Sequence, residues 1–184
     1  MGKIRTRELV TMALLTALMF VGQVGMSFLP NIEVVSLLVI VYTQVYKKKV
    51  FFIIYAFAIL EGLAWGFGVW WFGYLYIWSI LAIVVLLIGK QTSAIVWSIV
   101  SGTFGLMYGF LYAIPYFIAG GWAAGFSYWI SGIPFDIAHC IGNVVVALVL
   151  YKPVHTILTK LVQNQRQSGS SVNKIALENR NSEK

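Results

Sequence analysis

The chain has 184 residues, of which 60% are hydrophobic and only 10% are charged. A soluble globular domain is about a quarter charged, so this composition and the mean hydropathy of +0.84 exclude an ordinary soluble protein. The net charge of +7 does not indicate a nucleic-acid partner, because Lys and Arg stand at the ends of hydrophobic runs and in a polar tail. We expect them to contact anionic lipid instead. A single cysteine, Cys140, cannot form an intramolecular disulfide.

Six hydrophobic runs predict an all-α integral membrane bundle of six transmembrane helices. The expected helices cover residues 9–29, 33–46, 50–64, 74–88, 93–118 and 128–151, the last with an amphipathic continuation to 161. The breaks between them fall at 30–31, 47–49, 65–73, 89–90 and 119–127. The second and third runs are short for a span of about 20 residues.

Three domains follow from this pattern. Residues 1–8 form a basic cytoplasmic leader, residues 9–162 form the transmembrane domain, and residues 163–184 form a polar cytoplasmic tail that is expected to be disordered. The first hydrophobic run is long enough to span a membrane and shows no cleavage site for a signal peptidase, so it is interpreted as a helix of the mature protein.

The positions of the basic residues predict the orientation. Lys and Arg occur at every second break and are lacking at 30–33, 65–73 and 119–127. The basic positions are Arg5, Arg7, Lys47, Lys48, Lys49, Lys90, Lys152 and Lys160. Because cytoplasmic loops carry the excess of positive charge, both termini are predicted to lie in the cytoplasm. The expected location is the bacterial plasma membrane, in a multi-pass arrangement.

Three acidic residues stand near or inside the predicted helices: Glu33, Glu61 and Asp136. A carboxylate at the bilayer centre costs about 2.5–3.5 kcal/mol, so each one requires an explanation. His139 and Asn143 follow Asp136 at i+3 and i+7 and therefore share its helix face, which we expect to point into the bundle. One interpretation is structural, with Asp136 paired to His139 and Glu33 capping the second helix. The other is a ligand site.

Aromatic residues crowd the breaks that lack Lys and Arg. An interfacial belt of aromatic rings explains part of this enrichment. However, the opposite ends are poorer in tryptophan, with mainly Trp97, whereas a plain belt populates both faces. Rings with a few converging polar groups are typical of a pocket for a small planar ligand. The candidate ligand-binding residues are Glu33, Glu61, Trp70, Trp71, Tyr74, Tyr112, Tyr116, Asp136, His139 and Asn143.

Two further local features concern the fifth helix. Gly102, Gly105 and Gly109 lie on nearby turns, which predicts close approach to a neighbouring helix. Pro115 is expected to loosen or kink the outer end of that helix.

The sequence contains no phosphate-binding Gly-Lys loop, no His/Cys cluster and no HExxH motif. It therefore predicts neither an ATPase nor a zinc protease, and neither a metal nor a cofactor. Any energy required for transport must come from partners.

Three features resemble the substrate-binding S-component of energy-coupling factor (ECF) vitamin transporters. They are the segment ELVTMALLTALMF, with Ala13 and Ala17 in small-xxx-small spacing, the six-span layout with an aromatic outer face that lacks cations, and the segment GIPFDIAHCIGNVVVALVLYKPV. The resemblance implies a subunit that binds a vitamin or precursor in an outward-facing pocket. It also implies partnership with a transmembrane coupling protein, through Ala13 and Ala17, and with two cytoplasmic ATPases. The chain looks most like the subgroup for hydroxymethylpyrimidine or pyridoxine.

Two other interpretations remain open at this point. One is a channel or self-sufficient secondary transporter. The other is a small intramembrane enzyme that uses Asp136 and His139 as an acid–base pair, although no nucleophile stands at a helpful spacing.

Overall fold

The structure, a computed structural model, describes residues 6–29 and 31–182, with side chains described up to 165 and at 167. Helix α1 is Thr6–Gly25, α2 is Val35–Tyr46, α3 is Val50–Trp65 and α4 is Val69–Ile88, and a short 3-10 turn, Lys47–Lys49, joins α2 to α3. A last helical stretch, Ala94–Ser182, is interrupted at Gly121 by a non-helical residue with φ 73° and ψ −175°. We treat it as α5 (94–120) and α6 (122–182).

The fold class is therefore all-α, and no strand occurs within the described ranges. Three helical stretches are long and apolar enough to cross a membrane: Thr6–Gly25, Val69–Ile88 and Ala94–Gln165. With 12 and 16 residues, α2 and α3 are shorter than the roughly 20 residues that a span requires. The number of crossings and their orientation stay predictions, while the long apolar helices indicate a membrane-embedded protein.

Helix α2 forms the centre of the bundle. Ten of its 12 residues are buried, including the whole stretch 35–43. It packs against α4 and the 94–182 stretch, and it also contacts α1 and α3. A helix that is apolar on every side is stable where other helices surround it, which is the position α2 occupies.

The break between α3 and α4 is shorter than predicted, covering residues 66–68 instead of 65–73. Gly66, at φ 88°, closes α3 through a hydrogen bond from its N–H to the Gly62 carbonyl. The Trp71 N–H already donates to the Gly68 carbonyl, so the new helix starts at once. As a result, Trp70 and Trp71 lie in the first turn of α4 and not in a loop.

The predicted loop at 119–127 is also wrong, because a single residue, Gly121, makes the break. Its positive φ is a conformation that glycine adopts at little cost. Rings on the two sides hold the helices together there: Tyr116 stacks on Tyr128, with ring centroids 4.1 Å apart. Pro115 lies inside α5, and the non-helical residue comes six positions later.

The remaining boundaries differ by a few residues. Helix α1 begins and ends earlier than expected, since the predicted 9–29 is observed as Thr6–Gly25 followed by turns to Leu29. Helix α6 continues to Ser182, through the segment that was predicted to be a disordered tail. The division into leader, membrane domain and tail stays a prediction.

Long-range contacts show that the six helices alternate in direction. Lys49 forms an ion pair with Glu8 (2.7 Å), and Gln165 bonds to Thr11. These contacts bring the start of α1, the turn 47–49 and the far part of α6 to one end of the bundle, which we call the lysine end. The lysine-free end carries residues 26–29 and 31–34, the turn 66–68 and Gly121.

Candidate ligand-binding site

Glu33 joins two elements at the lysine-free end. Its Oε2 accepts a hydrogen bond from the backbone N–H of Ser36 (2.8 Å), so it caps α2, as the structural interpretation predicted. Its Oε1 forms a hydrogen bond with Nε2 of His139 (3.2 Å), and both side chains are buried. One carboxylate thus fixes both the start of α2 and its position against α6.

The predicted pairing of Asp136 with His139 is replaced by two separate contacts. His139 bonds to Glu33, and Asp136 accepts from the backbone N–H of Gly109 on α5 through Oδ1 (2.8 Å). The spacing i, i+3 places the two side chains on one face. However, each side chain forms its hydrogen bond with a residue outside α6, and the sequence of α6 does not indicate which residue that is.

The glycines of α5 make these contacts possible. A Cβ on Gly105 would lie 2.9 Å from the backbone carbonyl carbon of His139, and a Cβ on Gly109 would fall on the carboxylate of Asp136. A Cβ on Gly102 would collide with the side chain of Val144. The predicted close approach is therefore confirmed, and α6 is the neighbouring helix.

Asn143 completes the polar face of α6. It is 1% exposed, and its Nδ2 donates to Ser36 Oγ (3.2 Å) and to the carbonyl of Ser101 (3.1 Å). It therefore links α6 to both α2 and α5. With Asp136 and His139 also buried, the prediction that this face points into the bundle is confirmed.

Four aromatic rings from α4 and α5 pack beside this polar face. Tyr74 contacts Trp78 (ring centroids 5.7 Å apart) and Tyr112 (6.5 Å). Tyr108 contacts Tyr112 (5.0 Å), Trp78 (5.7 Å) and the imidazole of His139 (4.7 Å). The rings and the acidic face therefore form one continuous cluster.

Trp78 and Tyr108 were not among the predicted residues. Each stands four positions from a residue that was, since Trp78 follows Tyr74 and Tyr108 precedes Tyr112. Helical neighbours at i and i+4 share a face, so this spacing is the signal that identifies them. Gln23 of α1 was also missed, and its Nε2 donates to the Tyr74 hydroxyl at 3.4 Å.

Glu61 approaches the rings from α3. It is 3% exposed, and both Glu61 and Glu33 act electrostatically on the hydroxyl of Tyr74. Trp70 lies at the edge, with its ring 5.2 Å from that of Tyr74. We use the name acid–aromatic cluster for Glu33, Glu61, Tyr74, Trp78, Tyr108, Tyr112, Asp136, His139 and Asn143.

Two predicted residues lie elsewhere. The Trp71 indole N–H donates to the Ala58 carbonyl on α3 (2.7 Å), and its ring packs against Phe67. Tyr116 stacks on Tyr128 at the turn between α5 and α6. These contacts stabilise the packing of the helices at their ends.

Several buried polar atoms of the cluster have no hydrogen-bond partner among the described residues. They are Glu61 Oε1, Trp78 Nε1, Asp136 Oδ2 and Asn143 Oδ1, with Gln23 Oε1 beside them. A buried polar group without a partner costs about 1–3 kcal/mol. The number of unpaired polar atoms in this cluster distinguishes it from an ordinary membrane core, where most polar groups form hydrogen bonds.

A groove of about 390 Å³ lies apart from the acid–aromatic cluster, on another part of the α6 surface. Its lining is apolar: Ile32, Ala138, Ile141, Gly142, Val145 and Val146. None of the predicted ligand-binding residues lines it. Such a lining suits hydrocarbon and offers nothing to hydrogen-bond a polar ring.

Ala13 and Ala17, the predicted partner-binding residues, are exposed on α1. Leu14 and Leu18 flank them and are more than half exposed, while Met12 and Thr16 point into the bundle. The alanines therefore lie on a shallow apolar strip that a neighbouring helix or lipid can contact.

No protein-family model matches the chain, and no curated protein or solved structure has significant similarity to it.

Proposed function

We propose that this protein captures a small planar vitamin or vitamin precursor in the membrane, as the substrate-binding subunit of an ECF-type importer. The observation that carries the proposal is the acid–aromatic cluster, with its buried polar atoms that lack partners. If the cluster served packing alone, apolar residues at those positions would make the fold more stable than the polar residues do. A ligand that supplies the missing hydrogen bonds accounts for their presence.

The rings support a planar ligand. The cluster offers four flat ring faces that contact one another: Tyr74, Trp78, Tyr108 and Tyr112. A flat ligand can stack on one of these rings once that ring moves away from its neighbour. Aromatic stacking combined with a few converging polar groups is the usual design of small-molecule sites. Hydroxymethylpyrimidine and pyridoxine, the best guesses from the sequence, both fit this chemistry.

The proposed arrangement in the membrane follows the positive-inside rule. All six helices cross or enter the bilayer, the lysine end faces the cytoplasm, and the end that carries the acid–aromatic cluster faces the outside of a bacterial plasma membrane. Support comes from the alternation of helix direction, which collects Lys49 and the far part of α6 at the same end. Lys47 and Lys48 are exposed at that end.

The exposed strip of α1 supports a membrane partner. Small residues let two helices approach closely in lipid, where packing is a main driving force for association. We propose that Ala13 and Ala17 contact the transmembrane coupling protein and that two cytoplasmic ATPases supply the energy. The absence of a phosphate-binding motif in the sequence is compatible with that division of labour.

The first test is mass spectrometry of small molecules that co-purify with the detergent-solubilised protein, followed by titration of each candidate against tryptophan fluorescence. Trp78 lies in the cluster and Trp70 at its edge, so ligand binding is expected to quench the emission. Saturable quenching by one vitamer supports the proposal. Folded protein that binds no member of a vitamin panel contradicts it.

The second test separates a partner-dependent importer from a channel. Ala13→Leu is expected to abolish uptake in cells that contain the coupling module while leaving ligand binding unchanged. Ala64→Leu, at an exposed alanine of α3, is the matched control and should transport normally. Uptake by the purified protein alone in vesicles favours a channel or secondary transporter, and chemical conversion of the bound ligand favours an enzyme.

A further inference from the structure

Charge is distributed very unevenly between the two ends of the bundle. The basic residues with described side chains, apart from histidine, all lie at or near the lysine end: Arg7, Lys47, Lys48, Lys49, Lys90, Lys152 and Lys160. The acid–aromatic cluster holds three buried carboxylates, Glu33, Glu61 and Asp136. Within the described part of the chain, His139 is the one basic side chain of that cluster, and it bonds to Glu33 alone.

The three carboxylates form part of one continuous environment. Asp136 interacts electrostatically with His139, which bonds to Glu33. Glu33 and Glu61 in turn both act on Tyr74. A positive group placed among these side chains is therefore attracted by each carboxylate that is ionised, whereas an anion is repelled by it.

A second observation, independent of the acidic residues, also indicates a ligand. Trp78 is 1% exposed and its indole N–H has no partner among the described residues, although its ring is in contact with Tyr74 and Tyr108. Asn143 is equally buried and its Oδ1 is likewise without a partner there. One unpaired donor and one unpaired acceptor thus belong to the same cluster as the carboxylates, and a ring that carries both kinds of polar group can bond to them.

We infer that the ligand is bound as a cation: a nitrogen-containing aromatic ring that carries a positive charge, permanent or gained by protonation, and that has no carboxylate or phosphate. This inference rests on the proposed function and specifies its substrate class. Buried carboxylates are stabilised when they pair with an opposite charge, and Tyr and Trp faces attract a cation by about 0.5–2 kcal/mol. An acidic vitamin lacks a partner of opposite charge here, because none of the lysine and arginine side chains that the structure describes lies at this end.

The test uses two sets of probes, one built on a pyridine ring and one on a pyrimidine ring, and the members of each set differ in charge. The pyridine set is 1-methylnicotinamide (cation), pyridoxine (weakly basic) and nicotinate (anion), and the pyrimidine set is thiamine (cation), 4-amino-5-hydroxymethyl-2-methylpyrimidine (weakly basic) and orotate (anion). Binding is followed by tryptophan fluorescence. Calorimetry in buffers of different ionisation enthalpy measures any proton taken up. We expect the tightest probe to be a permanent cation or a weak base that gains one proton on binding.

The outcomes separate this inference from the proposed function. Tightest binding of nicotinate or orotate, an anionic metabolite that co-purifies, or a weak base that binds without proton uptake overturns the cation inference and leaves a vitamin-binding subunit standing. Folded protein that binds no probe of either set and retains no metabolite overturns both.

A charge-removing variant tests the role of the carboxylates. Glu61→Gln keeps the shape of the side chain and is expected to weaken binding of the cationic probe about tenfold, equivalent to about 1.4 kcal/mol, because a charge-assisted hydrogen bond to the probe is lost. Asp136→Asn serves as the second variant, with folding of each checked by thermal unfolding. Glu8→Gln, at the lysine end, is the matched control and should bind normally. Equal affinity of both cluster variants and the wild type for the cation contradicts the inference.

Discussion

Two polar clusters, one around Gln91 at the lysine end and the acid–aromatic cluster at the other end, differ in how fully their polar groups are paired. At the lysine end, Tyr151 donates to Gln44 Oε1 (2.9 Å), and the carbonyl of Gln91 accepts from Gln44 Nε2 (2.6 Å) and from the indole N–H of Trp97 (3.0 Å). These groups pair with one another and close the bundle. At the lysine-free end, the acid–aromatic cluster leaves Glu61, Trp78, Asp136 and Asn143 each with an unpaired atom among the described residues.

This difference shows that polar residues inside a membrane bundle have more than one role. A satisfied network stabilises the fold and specifies how the helices pack. A partly satisfied network costs stability and persists where a ligand or a function requires it. The comparison predicts that substitutions at the two ends will separate stability from binding.

The largest expected effect concerns the helix contact that assembles the acid–aromatic cluster. Gly105→Val should lower the free energy of unfolding by about 3 kcal/mol, the upper end of the overpacking range, because the added atoms meet the backbone of His139. The readout is thermal unfolding in detergent. Gly132→Val is the control, since a Cβ on Gly132 meets nothing within 4 Å. Equal unfolding temperatures for the two variants contradict the tight contact between α5 and α6.

The second prediction is a gain in stability with a loss of binding. Glu61→Met removes a buried carboxylate that has an unpaired oxygen, so the free energy of unfolding should rise by about 2 kcal/mol. Ligand quenching of tryptophan fluorescence should weaken in the same variant, which is the usual trade-off at a binding site. If Glu61→Met loses stability, the carboxylate is a structural element, and the contrast between the two ends fails.

The third prediction, for the lysine end, is a loss of stability without a loss of ligand binding. Tyr151→Phe leaves Gln44 Oε1 without its donor, and the free energy of unfolding should fall by about 1 kcal/mol. Ligand affinity should not change, because this network lies at the opposite end of the bundle. Comparison of thermal unfolding with fluorescence titration on the same preparation gives both answers. A Tyr151→Phe protein that binds ligand more weakly indicates coupling between the ends.

The smallest effect is expected for the ion pair that holds the start of α1 to the turn 47–49. Lys49→Gln should cost less than about 1 kcal/mol, because both partners are partly exposed. The difference from wild type should shrink further as salt is raised, since screening weakens exposed pairs. Thermal unfolding at low and high salt checks this. A larger cost that salt does not change points to a more buried contact.

Much of the site was accessible from the sequence, and the missing parts have identifiable physical reasons. The face formed by Asp136, His139 and Asn143 follows from helical periodicity alone. The glycines of α5 predict that this helix packs closely against a neighbour. The partner of His139 does not follow, because Glu33 is 106 positions away and only the packing of α2 against α6 brings them together. Trp71 shows a different limit, since composition groups it with the candidate ligand-binding rings, whereas its hydrogen bond to the Ala58 carbonyl places it against α3.

By itself, the sequence determined that the chain is helical and suited to a membrane, because long continuous apolar runs with few charges favour helices, which satisfy their backbone hydrogen bonds internally in lipid. It also determined which ends of the helices carry lysine. Only the tertiary structure decided that α2 is an enclosed central helix, that one glycine is enough to turn α5 into α6, and which polar atoms find partners. Those properties depend on contacts between residues far apart in the chain, and a local pattern contains no information about which helix will be the neighbour.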